Sequence, residues 1–324
     1  MSRGEVQNPA RELARLLTRI EAEDPVALGE AVRTEVESDR AAHVVGLTGA
    51  PGVGKSTLTG AIIKAVRARG QTVAVLAIDP SSARSGGAVL GDRLRMMSSA
   101  PDPGVFIRSM ASRGRLGGLT TTAPTAIAAL AGAHYDLMIV ETVGAGQNEI
   151  DLAEIVDTAV VVMAPRMGDA IQALKAGLLE VADMFVVNKA DHGGAGQTES
   201  QLRGMLDAGA KTDADAWRPT VTRTVAARGE GIDELLDVLE GHARWLRHSD
   251  RPQRCRGERL VQVLRGAVVR RVSERLAHGD VDDEVRRLSE RVGFGDVGLT
   301  EAADLLLGSS IGKQSPCHLP SLSP

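Results

Sequence analysis

Aromatic side chains are scarce in this sequence: three Phe, two Trp and one Tyr among 324 residues, or 2%. Its core must therefore be aliphatic, filled by Val, Leu, Ile and Ala, and the scarcity argues against a base-stacking platform for single-stranded nucleic acid. Cysteine is rarer still, with only Cys255 and Cys317, which form no C-x-x-C pair and no disulfide framework. No run approaches the length of about 18 apolar residues that a membrane span needs. The opening M-S-R-G-E-V-Q-N has no apolar signal core. The expectation is a reducing cytoplasmic setting, or an organelle matrix after trimming of a transit peptide, with no membrane partner. An excess of one charge is missing too: a formal net charge of −4 gives no global reason to expect a polyanion, so no nucleic-acid partner is expected. His43, His134, His192, His242, His248, His278 and His318 show no ligand spacing and read as surface or local structure.

What is present is organised around His43 to Ser56, H-V-V-G-L-T-G-A-P-G-V-G-K-S. A short apolar run rich in β-branched residues reads as a buried strand, Gly49 to Ser56 fits G-x-x-x-x-G-K-[ST], and a helix follows from Lys55. Glycines let successive N–H groups converge on a phosphate chain, Lys55 adds a point charge between the β- and γ-phosphates, and the Ser56 hydroxyl is a Mg2+ ligand. The positive end of the helix dipole lies beneath the same anion.

Either side of this stretch the chain alternates strand and helix. Strands are predicted over 43–48, 72–78, 104–108, 136–140, 158–164, 184–188 and 220–225. Several are continuous apolar runs, as parallel strands covered on both faces require. The fold class is α/β, a doubly wound and mainly parallel sheet, with ligands at the carboxyl ends of the strands. Residues 1–41 read as a helical extension, two helices broken at Asp24-Pro25, and 42–248 as the nucleotide domain. Residues 249–308 read as a helical arm and the Ser/Pro-rich 309–324 as a disordered tail. In the arm, Pro252 is expected to end one helix, and a second, over about 256–278, repeats Leu260, Leu264, Val268, Val272 and Leu276. Between Arg244 and Arg275 ten Arg face three acids, which by default marks a solvated helix face.

Four further motifs sit at predicted strand ends. Asn188-Lys189-Ala190-Asp191 supplies a carboxylate for the N1–H and exocyclic amine of guanine; Asn188 can tie the base loop to the phosphate loop and the Lys189 stem can cover the ring. Thr224-Val225-Ala226 is expected under the base. Glu141-Thr142-Val143-Gly144 offers an acid that reaches Mg2+ and a glycine amide for the γ-phosphate. After it, Gln147 or Glu149 either orients the attacking water or is a solvated loop residue. Asp79 to Arg93 carries two carboxylates, Asp79 and Asp92, as Mg2+ or water ligands, with Asp79 alternatively a turn cap. Asp169 is a candidate helix start, with Gln172 and Lys175 on one helix face.

Assembled, these segments resemble the MeaB/ArgK family of P-loop GTPases. The matching stretches are G-A-P-G-V-G-K-S-T, D-P-S-S-x-x-S-G-G-x-x-L-G-D-R, S-R-G-x-L-G-G (112–118), E-T-V-G-x-G-Q-x-E, G-D-x-x-Q-x-x-K and N-K-A-D, within about residues 10–307. The resemblance implies GTP hydrolysis, a dimer with a helical C-terminal arm, and assistance to adenosylcobalamin-dependent methylmalonyl-CoA mutase. The family's nucleotide site falls on Gly49-Ala50-Pro51-Gly52-Val53-Gly54-Lys55-Ser56-Thr57, Asp191 and Val225-Ala226-Ala227. Its metal and switch residues fall on Ser56, Asp79, Asp92 and Glu141, and its third switch on Gly168-Asp169 and Lys175. Lys55, Asp92, Glu141, Gln147 and Lys175 are the catalytic candidates. Two departures stand out: Val225-Ala226 replaces a common Ser-Ala, leaving backbone N–H contact with the base but no hydroxyl, and Arg166 replaces a glycine. A metallochaperone GTPase is the rival reading, but it needs a His/Cys cluster that is not visible. A transport-linked kinase is a second rival, and no kinase catalytic loop H-R-D-x-x-x-x-N appears.

Overall fold

Seven segments pair into one sheet; the central ones are apolar runs buried on both faces, while the two edge segments are more polar and part-exposed. The strands are β1 (His43–Thr48), β2 (Val73–Pro80), β3 (Val105–Ser112), β4 (Leu137–Thr142), β5 (Thr158–Met163), β6 (Met184–Val187) and β7 (Thr220–Arg223). Their order is β3-β2-β4-β1-β5-β6-β7, every neighbouring pair being parallel. The helices, in chain order, are α1 (Pro9–Glu21), α2 (Pro25–Glu37), α3 (Lys55–Ala68), α4 (Ala123–Ala131), α5 (Asn148–Ile155), α6 (Leu178–Val181), α7 (Ala195–Ala208), α8 (Ile232–Leu246), α9 (Arg251–Leu276), α10 (Gly279–Gly293) and α11 (Leu299–Ile311).

This computed structural model describes residues 9–38, 41–80, 102–112, 122–142, 148–165, 177–208, 216–276 and 279–311. Asp92, Gly144, Gln147, Arg166, Gly168, Asp169, Gln172, Lys175 and Cys317 lie outside them, as does most of the tail expected over 309–324. Among the described residues no helix is long and apolar enough to cross a membrane.

Alternation along each strand sorts the core. Val45, Leu47, Val160 and Val162 face α3 and α8, packing on Leu58, Ile62, Leu235 and Leu239. Val44, Met138 and Val140 face the other side, where α1, α2 and α4 contribute Leu17, Leu28 and Leu130. The expected N-terminal pair of helices is thus part of the core. Its break is set by Asp24, whose Oδ1 accepts the Val26 N–H at 2.9 Å, with Pro25 in the first turn of α2. At the sheet edge, Arg108 of β3 pairs with Glu21 of α1.

The chain divides into two compact units, Met1–Val263 and Leu264–Pro324. The second has a small core of Leu288, Val297 and Ala302. Two boundaries differ from the sequence reading. β2 runs on through Asp79 and Pro80, which pair in register with Ala111 and Ser112 of an equally extended β3. Pro252 does not end a helix; it lies in the first turn of α9, where its missing N–H has no helical acceptor to lose.

Candidate functional site

The phosphate loop begins where β1 ends. Gly49 takes φ 139°, and a Cβ there would lie 2.1 Å from the Val162 carbonyl oxygen, so only glycine lets the chain leave the sheet this way. Lys55 is buried and folds back over the loop, its Nζ donating to Gly49 O at 2.7 Å and Ala50 O at 3.2 Å. Gly54, at the N-cap of α3, is left-handed, and among the described residues no side chain caps the helix. The first N–H groups of α3 thus present a ready anion site.

The N-K-A-D motif follows β6. Asn188 is buried and bonds in two directions: its Nδ2 donates to Val53 O at 2.9 Å, while its Oδ1 accepts Thr224 Oγ1–H and the Ala226 N–H, both at 3.1 Å. Lys189 takes φ 57° and donates from Nζ to Gly52 O at 2.7 Å. Phosphate loop, N-K-A-D and the Thr224–Ala226 loop are therefore one hydrogen-bonded unit. Beyond them lies an open pocket of about 280 Å³, with Asp191, Thr224, Val225 and Arg228 in its wall. Arg228, which no motif singled out, stands 3.7 Å from the Asp191 carboxylate. Two N–H groups expected to face the base are bonded within the protein: Val225 N–H donates to Glu230 O at 3.0 Å, and Ala226 N–H to Asn188.

On the other side of the phosphate loop, the Glu141 carboxylate at the end of β4 accepts Ser56 Oγ–H at 2.5 Å and Thr59 Oγ1–H at 2.9 Å. Glu141 pairs in register with Ala77, two residues before Asp79, so both acids stand at the carboxyl edge of the sheet. The Asp79 side chain is not among those described. A hydroxyl and a buried carboxylate beside an anion-binding loop are hard oxygen donors and fit Mg2+. Asp92, Gly144, Gln147 and Lys175 cannot be placed against this site, being outside the described residues.

A second polar cluster sits at the opposite, amino ends of the strands. Thr158 Oγ1 lies 2.6 Å from His43 Nε2 and 2.7 Å from His242 Nδ1. His242 is fully buried between Trp217 and Trp245, with ring centroids 4.5 and 5.4 Å away. Burial, then the nearby His43 and Arg251, push its pKa down to about 3. The Asp183 carboxyl is raised by burial, although Arg251 donates to it twice, at 2.5 and 2.8 Å. Arg259 is almost wholly buried against Glu35, its Nε donating at 2.9 Å, and gives a third N–H to Ile155 O. Arg251 and Arg259 thus correct the expectation of a solvated arginine face. Their spacing around Cys255, four residues each way, is the sequence signal that could have marked them as one buried stripe.

Against known proteins, residues 13–280 match the family described as Methylmalonyl Co-A mutase-associated GTPase MeaB. A Pyrococcus abyssi protein named as a GTPase is 42% identical over 93% of each chain. GTPase ArgK of Escherichia coli is 37% identical over 74% of this chain and 73% of its own. The crystal structure of an LAO/AO transport system kinase superposes with a TM-score of 0.56 at 25% identity, covering 92% of this chain and 97% of that one.

Proposed function

Because this chain belongs to the MeaB family of methylmalonyl-CoA mutase-associated GTPases, we propose that it binds GTP, hydrolyses it to GDP and phosphate, and uses that cycle as a chaperone of an adenosylcobalamin-dependent methylmalonyl-CoA mutase. The single observation that carries the nucleotide part is the Asn188 side chain, which joins the phosphate loop at Val53 to the base loop at Thr224 and Ala226. That junction fixes the distance between the phosphate-binding and base-binding ends, and Asp191 follows it within three residues. Adenine presents the wrong donor pattern to a carboxylate there, so guanine is the base.

On binding, the Lys55 ammonium exchanges the Gly49 and Ala50 carbonyls for phosphate oxygens. Ser56 and Glu141 would hold Mg2+, with Asp79 and Asp92 as further ligands; the bound ion would neutralise charge on the β- and γ-phosphates. Gln147 and Lys175 belong to segments that respond to the γ-phosphate. The working protein is a cytoplasmic homodimer joined through its helical arm, with the switch segments turned towards the mutase. Loading, protecting or replacing the mutase cofactor is the role this cycle serves.

The test is whether purified protein co-elutes with a methylmalonyl-CoA mutase in a nucleotide-dependent way. Retention that differs between a non-hydrolysable GTP analogue and GDP is the expected result. A mutase that binds equally in both states, or not at all, defeats the chaperone reading while leaving the GTPase reading to hydrolysis assays.

A further inference from the structure

Ser56 and Thr59 lie three residues apart in the first turns of α3, hence on one face of the helix. Both hydroxyls reach the same carboxylate, Ser56 to Glu141 Oε1 at 2.5 Å and Thr59 to Glu141 Oε2 at 2.9 Å. Thr59 is fully buried, and Glu141 is 7% exposed. The phosphate-loop motif ends before Thr59, and no other motif includes it.

We propose that Thr59 is a positioning residue for the divalent-cation site, holding Glu141 so that its carboxylate orients the Ser56 hydroxyl towards the cation. The inference rests on the reading of Ser56 and Glu141 as the Mg2+ end of the site. A hydroxyl that ligates a cation uses an oxygen lone pair, so its hydrogen must go to another acceptor. Glu141 Oε1 is that acceptor. A carboxylate held through one oxygen is free to turn, because the terminal sp³–sp² torsion of Glu is broad. A second bond, to its other oxygen, removes that freedom. Thr59 supplies it from a β-branched side chain with few χ1 choices, on the same rigid helix that carries Ser56. Outer partners of this kind typically change metal affinity by about 10–100-fold when removed. A Thr59 that merely satisfies a buried carboxylate would instead alter stability and leave cation affinity where it was.

The full chain loaded with a fluorescent GDP tests this, by following nucleotide release as Mg2+ is titrated, in parent, Thr59→Val and Thr59→Ser. Thr59→Val should raise the Mg2+ concentration for half-maximal retention about 10–100-fold, with GDP affinity in excess EDTA unchanged. Thr59→Ser keeps the hydroxyl and should restore the parent's requirement. Parent-like Mg2+ dependence in Thr59→Val, or in Thr59→Ala should the valine variant not fold, overturns the assignment. A parent whose GDP retention ignores Mg2+ defeats the metal reading itself, a different outcome that the same titration separates.

Discussion

Gly54 and Asn188 approach so closely that a Cβ on Gly54 would lie 2.6 Å from the Asn188 side-chain nitrogen. The two ends of the nucleotide site meet at this contact, and the left-handed Gly54, with φ 95°, makes it possible. Gly54→Ala must therefore both strain the backbone and push Asn188 off Val53. Strain of about 1–3 kcal/mol predicts GTP binding weaker by roughly 5–150-fold, measured by calorimetry. Asn188→Ala should weaken it as well, since it strips Thr224 Oγ1 and the Ala226 N–H of their acceptor. Parent-like affinity in both variants would show that the junction does not set the site.

Asp191 is the residue proposed to select the base. Asp191→Asn keeps the shape but presents an N–H where the guanine amine needs an acceptor, so preference should move from GTP to XTP, which carries a carbonyl there. The change also removes the charge that faces Arg228 at 3.7 Å. Competition of GTP and XTP for the variant measures it. A variant that still prefers GTP as strongly as the parent refutes the assignment of the base.

Most of the sheet was legible because parallel strands buried on both faces carry continuous apolar runs, as β1, β4, β5 and β6 do; the edge strands β3 and β7 are more polar and part-exposed. The misjudged ends have local causes. Asp79-Pro80 reads as a turn in sequence, yet the long β3 beside it keeps both residues in the ladder. Motif residues proposed for phosphate and base chemistry stand out in the sequence because a ligand would dictate their spacing. Thr59 and Arg228 were not, since no ligand dictates their spacing. His242 was read as local or surface, although Leu235, Leu239, His242 and Leu246 follow one helical face and all four are buried.

The buried histidine makes a pH prediction whose sign is fixed. His242 has its folded pKa depressed to about 3 from 6.5 by burial, so the native state refuses a proton that the unfolded chain accepts. Stability is thus complete above the unfolded pKa and is lost as pH falls below it. His43 shifts the same way, while the raised Asp183 carboxyl, taking up a proton early in the native state, opposes them. Arg251 stays charged throughout, and the buried Cys255 thiol is raised further from this range. Between pH 7 and 5 the His242 contribution is about 2 kcal/mol. Urea unfolding followed by fluorescence of Trp217 and Trp245, which flank His242, should show His242→Gln losing less stability over that interval than the parent. Equal losses would mean that His242 is protonated in the native state.

The arm can be removed in two ways, and the structure distinguishes them. α9 begins as part of the first unit: Arg251 bonds the buried Asp183, Cys255 donates to Val156 O at 3.1 Å, and Arg259 is buried against Glu35. Cutting at 250 leaves two buried carboxylates without their cations. Breaking a buried pair from one side typically costs about 3–5 kcal/mol, a large share of a domain's stability. Further along α9, Leu264 is 66%, Val268 55% and Val269 47% exposed in the single chain. These are the residues a second subunit would cover. A four-residue repeat drifts round a helix of about 3.6 residues per turn, so the apolar stripe twists, as a wrapping contact between arms needs. Deleting 264–324 should therefore yield a stable monomer by light scattering that binds GTP as the parent does, whereas deleting 250–324 should lower the melting temperature sharply or prevent folding. A protein lacking 264–324 that stays dimeric would remove the arm from the interface. A 250–324 deletion as stable as the parent would show that the Asp183 and Glu35 pairs contribute nothing to the core.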